Sequence, residues 1–458
     1  MALNRRHFLA ALACAAWPAE LLAETAPDGF TVIRAGTRSL GLLEGGAGKT
    51  SAFMLGGGPA PAVIRATQGA ELKLRFINTL PSEIWLHFFG LRGPSELMTF
   101  NVRPGEDQGF DCVFTPPDAG TFWIGPVADV SRMRDMGLVA MLIVEEAEAL
   151  PGLTDLPLVL DDWKLAGDGA IENGFGDIEA MVGEGRLGNW FTVNNRFRPT
   201  LPLQAGHYTR LRILNAANVR SMGLLFKGQD PLLIARDGQP VTPRQLGEKA
   251  LMLAPGQRAD LLASPDEGAM TVALDLFEDV VEIAYLDPES GAGAPALADN
   301  FALPANPLSA PAANQEPRPV PIVIAGGIKG GLESARFRGE TMDIRTLLQN
   351  GKGWAFNGVA GPSAEPLFVA AKGETVALDI ENRTGFAQAL HIHGHVWWLP
   401  AGEGQAPAAS DTAVIAAGKT LRLTLVADNP GTWAIQSLVA ERADGGLMAA
   451  FQVSEAEL

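Results

Sequence analysis

Three stretches of the chain share one pattern of apolar and polar positions. They are Gly69-Ala70-Glu71-Leu72-Lys73-Leu74-Arg75-Phe76-Ile77-Asn78, Gly206-His207-Tyr208-Thr209-Arg210-Leu211-Arg212-Ile213-Leu214-Asn215 and Gly373-Glu374-Thr375-Val376-Ala377-Leu378-Asp379-Ile380-Glu381-Asn382. Each opens on a turn glycine, alternates apolar with other residues, and closes on asparagine. A period of two predicts a strand with one face on a core and the other in water. A Pro/Gly turn beside a further strand follows each copy: Pro117-Asp118-Ala119-Gly120-Thr121-Phe122-Trp123, Ala254-Pro255-Gly256-Gln257-Arg258 and Asn429-Pro430-Gly431-Thr432-Trp433. Helical periodicity is scarce, and Glu333 to Leu348 is the one stretch expected to form a helix. Short strands at close spacing, repeated three times, predict an all-β chain of three consecutive Greek-key sandwich domains.

The expected division is a targeting segment over 1–26, a first domain over 27–149, a second over 150–290, a connection rich in Pro and Ala over 291–320, and a third domain over 321–458. The targeting segment rests on Asn4-Arg5-Arg6-His7-Phe8-Leu9 and the apolar run after it, which match a twin-arginine export signal. The periplasm or cell envelope is therefore the expected location. Ala11-Leu12-Ala13-Cys14 leaves a lipoprotein as the lesser alternative. Once that segment is removed, Cys112 is the single cysteine, so no internal disulfide can form. Its strand, flanked by Phe110 and Phe114 on the same face, predicts a buried thiol. Gly45-Gly46-Ala47-Gly48-Lys49-Thr50 lacks the glycine a phosphate loop needs at position 43, which is Leu43, and reads as a hairpin loop.

A net charge of -17 and a pI near 4.8 disfavour nucleic acid and anionic membrane surfaces as partners. They suit a monomer that resists self-association. No apolar run after residue 25 is long enough to span a membrane.

Four segments carry a family resemblance. Leu390-His391-Ile392-His393-Gly394-His395 and Pro430-Gly431-Thr432-Trp433-Ala434-Ile435-Gln436-Ser437-Leu438 resemble the third and fourth copper motifs of multicopper oxidases. Ile84-Trp85-Leu86-His87-Phe88-Phe89-Gly90 and Gly120-Thr121-Phe122-Trp123-Ile124-Gly125-Pro126-Val127 resemble the first and second. Thr192-Val193-Asn194-Asn195 and Asp237-Gly238-Gln239-Pro240-Val241 fit the middle domain of that family.

The resemblance implies three cupredoxin-like domains and shows which ligands are missing. The blue copper positions hold Gln388, Ser437 and Arg442, so that site is abolished. The paired-copper positions hold Phe89, Gly125, Val127, His393, Gln436 and Leu438, so one imidazole of six remains. Phe88 and Phe89 are both expected to crowd that cavity. The two positions of the single, type 2 copper hold His87 and His391. His395 matches no ligand and is expected to be structural, and His207 is expected to be exposed. The cofactor expectation is therefore none, or one copper ion on His87, His391 and His393, because imidazole suits copper and zinc alike. A laccase-type oxidase is excluded, since blue copper needs a thiolate. Two readings stay open. One is a non-enzymatic envelope scaffold with an unidentified protein partner, resembling the SufI-like, division-associated branch of the superfamily. The other is a mononuclear copper protein for copper handling or limited redox chemistry.

Overall fold

The computed structural model describes residues 24–276, 279–294, 297–298, 300–312, 316–400 and 407–455. The twin-arginine segment lies outside them. Strands fall into three successive pairs of sheets, running from Glu24 to Glu145, Leu153 to Pro288 and Arg318 to Ser454. Each repeat strand occupies the same place in its pair. Leu72–Asn78 lies parallel to Thr31–Leu40 and antiparallel to Gly105–Phe114. Tyr208–Asn215 lies between Leu153–Trp163 and Arg258–Ala263, and Thr375–Asn382 between Arg318–Gly326 and Thr420–Val426, in the same two senses. Mixed pairing of this kind needs crossovers from one sheet to the other, as in a Greek-key sandwich. The three domains are cupredoxin-like.

The closing asparagine of each repeat has a common task. Asn78, Asn215 and Asn382 are fully buried. Each donates its amide to at least two backbone carbonyls: Asn78 to Ser82 and Val102, Asn215 to Arg220 and Leu253, and Asn382 to Phe386, Ile415 and Ala416. Each also accepts from the backbone N–H two residues on. A buried chain bend must satisfy its polar groups internally, and one short amide does this three ways at once.

The alternation misleads in the second copy. Arg210 and Arg212 sit on the face expected in water, yet both are buried, each 2% exposed. That face is covered by the first domain. Arg210 pairs with Asp260 and Glu146, and Arg212 with Asp155 and Asp260, while Thr121 of the first domain bonds both Asp260 and Arg212.

The expected helix over Glu333 to Leu348 is largely a hairpin. Ser334–Phe337 pairs with Glu340–Asp343, turning at Arg338 and Gly339, both at positive φ. Only Ile344–Gln349 is helical, and Asp343 starts it by accepting from the Thr346 N–H. Gly45 to Thr50 falls within the turn joining the paired strands Thr31–Leu40 and Thr50–Leu55, a hairpin as expected. Cys112 is buried, and burial pushes its thiol up to about 12. His207 is half-buried rather than exposed, with Nδ1 at 3.2 Å from the Ala205 carbonyl.

The first and third domains share one continuous apolar cluster, to which Phe88, Phe100 and Met98 contribute from one side and Leu390, Ile392 and Trp433 from the other. This packing sets the strands of the first and third copper-like motifs against each other.

Candidate metal centre

His87 stands on Ile84–Phe89, directly opposite Gly125 on one neighbouring strand and Thr99 on the other. His391 stands on Gln388–Ile392, opposite Gln436 and Thr412. Strand alternation turns Leu86 and Phe88 into the first sandwich and sends His87 and Phe89 outward, toward the third domain. His87, His391 and His393 therefore meet between the domains, with one ring nitrogen from each within 4.8 Å of the others. Among the described residues they are the one group of histidine, cysteine or acidic side chains so arranged.

All three rings are buried. His87 stacks on His393 with centroids 3.7 Å apart. Burial, and then the neighbouring rings, hold His87 and His393 well below the usual histidine range, so both are neutral with lone pairs available. His87 Nδ1 meets Thr99 Oγ1 at 2.8 Å, and His391 Nδ1 meets Asp411 Oδ1 at 3.3 Å. The Nε2 atoms of both rings are buried without a hydrogen-bond partner among the described residues. One nitrogen anchored to oxygen and the other left free is the pattern of a metal-ligating histidine. His393 is less free, because its Nε2 lies 3.1 Å from Gln436 Oε1.

Sequence reading missed the support beneath this cluster. Asp411 is fully buried and also accepts from Thr412 Oγ1 at 2.7 Å. Burial alone would raise its carboxyl, but the guanidinium of Arg258 overcomes this and holds it below the ordinary carboxylate range. Arg258 comes from the second domain and forms a two-pronged pair with Asp411. Gly90, at positive φ, leaves room for that pair, since a Cβ there would collide with both side chains. The signal available in sequence was Arg258 itself, a charged residue opening the otherwise apolar-rich strand Arg258–Ala263. His395 is structural: Nδ1 meets the His393 carbonyl at 3.1 Å and Nε2 accepts from the Asn429 N–H at 3.3 Å.

Sequence models of the multicopper oxidase family match residues 43–149, 157–272 and 338–457, one per domain. The chain belongs to the multicopper oxidase superfamily. A multi-copper oxidase structure from Pseudomonas thermotolerans, 28% identical, superposes with a TM-score of 0.79 over 92% of this chain and 98% of that one. Multicopper oxidase MmcO of Mycobacterium tuberculosis is 26% identical over 82% of this chain and 77% of its own length. Cell division protein FtsP of Escherichia coli K12 is 28% identical over 45% of each chain, less than half of that relative.

The residues that the resemblance places at the other copper positions make contacts of their own. At the blue position, Arg442 Nη1 donates to Gln388 Oε1 at 3.1 Å and to the Ala387 carbonyl at 2.6 Å. Ser437 Oγ accepts from the Val439 N–H. These residues do not fit a blue copper, having neither thiolate nor imidazole. At the paired position, Phe89 stacks on Trp123 at 3.9 Å and 8°, in an apolar cluster with Leu438 and Val127. The indole lies over Gly125 so closely that a Cβ at 125 would fall inside it. The crowding expected of two phenylalanines is supplied by Phe89 and Trp123 instead. Phe88 points into the first sandwich and packs on Phe76, Phe100 and Phe114.

Proposed function

We propose that the protein is a non-oxidase member of the superfamily that acts in the cell envelope by contact with another protein, in a division-associated setting. The hydrogen bond between Arg442 and Gln388 carries the first half, because it joins two blue-copper positions directly and leaves no ligand for the electron-accepting metal. The likeness to FtsP and the twin-arginine segment support the second half. Among the described residues no helix is long and apolar enough to cross a membrane. A fluorescent fusion is expected to gather at the septum of dividing cells. An even distribution at every stage of division would refute the division assignment and leave the loss of oxidase chemistry standing.

A second reading is favoured by the two orphaned Nε2 atoms. His87 and His391, joined by His393, would hold one copper ion, and Gln436 would have to release His393. Copper there would supply one-electron redox capacity and Lewis acidity. The chain supplies three buried imidazoles, Thr99 and Asp411 to fix two of the rings, and walls that exclude water. After copper loading, the mature protein is expected to hold at most one copper per chain, with a type 2 paramagnetic signal, no intense blue band, and loss of the metal in His87→Ala. Metal analysis showing none would remove this reading. A blue band that disappears in Cys112→Ser would overturn the non-oxidase reading as well.

A further inference from the structure

The three domains meet at a junction to which each brings acid. The first supplies Asp135 from the helix Val130–Asp135, the second Asp161 and Asp162 from the strand Leu153–Trp163, and the third Glu441 and Asp444 from the helix Ala440–Asp444. Asp135, Asp162 and Glu441 are at most 6% exposed. Asp135 pairs with Arg186, and Asp161 Oδ1 accepts from the Asp162 N–H at 2.9 Å. Asp162 Oδ2 accepts from the Gly188 N–H and from Arg220 Nε, and Glu441 Oε1 from Ser131 Oγ at 2.8 Å. The other oxygens of these last two, Asp162 Oδ1 and Glu441 Oε2, are buried with no hydrogen-bond partner among the described residues. The cations around them have further duties. Arg134 donates to Asn218 and to the Leu438 carbonyl, and Arg186 also to the Glu172 and Asn173 carbonyls. Arg442 donates to the Ala387 and Gln388 oxygens, and Lys352 to the Asp444 carbonyl.

A sealed carboxylate oxygen without a donor is costly as an anion and much less so as an acid. Neighbouring acids that cannot all ionise share the protons that remain. We propose that this junction is a proton-operated clasp, closed while its carboxyls share protons and loosened between the first and second domains when they release them. Burial, then the charges of Asp162 and Asp135, hold the Asp161 carboxyl well above the ordinary range. Burial outweighs Arg186 to bring Asp135 to about 7, and outweighs Arg220 to bring Asp162 to about 6. Burial, with Asp129 and Glu441 nearby, brings Asp444 to about 6. Each of these folded-state values is raised. Their contribution to stability is therefore complete below the unfolded range, near about 4, and is lost as pH rises through the folded values. Once ionised, Asp135 repels Asp161 and Asp162 across the seam, and Glu441 adds a charge from the third domain. A groove of about 210 Å³, lined by Ser131, Asp177, Arg186, Glu441 and Asp444, gives water a route to the edge of the junction. The clasp requires neither a bound metal nor a division partner.

Infrared spectroscopy and hydrogen exchange of the mature chain test it. At pH 6, where exposed carboxyls are ionised, the folded chain is expected to show the C=O stretch of a protonated carboxyl. That band is expected to weaken at pH 8.5, and to be weaker already at pH 6 in Asp161→Asn, a change that keeps an acceptor for the Asp162 N–H. Exchange protection over residues 130–138, corrected for the intrinsic rate, is expected to fall between pH 5.5 and pH 8.5. The fall should be at least about tenfold larger in the native chain than in Asp161→Asn. Glu441→Gln keeps an acceptor for Ser131 and is expected to flatten the same pH dependence, so the clasp stays testable where Asp161→Asn fails to fold. No protonated carboxyl in the folded chain at pH 6, protection that holds steady as pH rises, or a fall in both variants equal to the native one would each overturn the proposal.

Discussion

Arg258→Ala is expected to destabilise the folded protein by about 3–5 kcal/mol at neutral pH, the cost of leaving a buried charge without its partner. Arg258 is 1% exposed and reaches all three domains. Its Nε donates to the Thr121 carbonyl at 3.1 Å in the first, and its Nη1 to the Gly256 carbonyl at 3.1 Å in the second. Both terminal nitrogens hold Asp411 in the third. The pH dependence has a definite sign. In the native protein the folded-state pKa of Asp411 is depressed. Its contribution is therefore present above the ordinary carboxylate range and is lost only as pH falls through the depressed value. Without Arg258, burial dominates and raises that carboxyl, so acidification protonates it in the folded state. The stability gap between native protein and variant is thus expected to narrow from pH 7 to pH 5. Adding Asp411→Asn to Arg258→Met should recover most of the loss by removing the stranded charge. Denaturant midpoints at the two pH values provide the measurement. A midpoint equal to the native one, or a gap that widens on acidification, would show that the pair does not join the domains.

The triple variant Gln436→His, Ser437→Cys and Leu438→His restores the fourth copper motif, yet it is expected to gain no oxidase activity and to lose about 2–4 kcal/mol of stability. Leu438 is 1% exposed in the apolar cluster with Phe89 and Trp123, so an imidazole there buries polar nitrogens among hydrocarbon. The new thiol would still face Gln388 and Arg442, which bond each other and offer no imidazole. A further Gly125→His could not enter without displacing the Trp123 ring. Oxygen uptake with a phenolic substrate is the assay, and turnover by the triple variant would mean that the ligand positions have been assigned to the wrong residues.

Sequence revealed what depends on local order. The alternation and closing asparagine of each repeat located three equivalent strands, and the four motifs indicated which histidines belonged together. It failed where distant segments decide the outcome. Arg210 and Arg212 looked like solvent-facing positions because alternation distinguishes two faces without saying what covers them. Phe88 and Phe89 looked equivalent until the strand's pleat sent one inward and the other toward the third domain. The pair of Arg258 and Asp411 belongs to no motif, since it needs a glycine from the first domain, a cation from the second and an acid from the third. Glu333 to Leu348 carried enough helix-favouring residues to suggest one element, but the turn at Arg338 and Gly339 divides it.

The short helix Val130–Asp135 near the end of the first domain lacks a cap of its own. Asp129 makes no capping bond, and the Val130 and Ser131 N–H groups are instead received by Asp444 at 2.9 and 2.8 Å. The acceptor lies more than 300 positions downstream. As the chain emerges from the ribosome, this corner of the first domain must wait until residue 444 has been made. A chain released short of residue 444 would carry an unfinished edge exposed for proteolysis, so a segment of the third domain acts as a seal on the first.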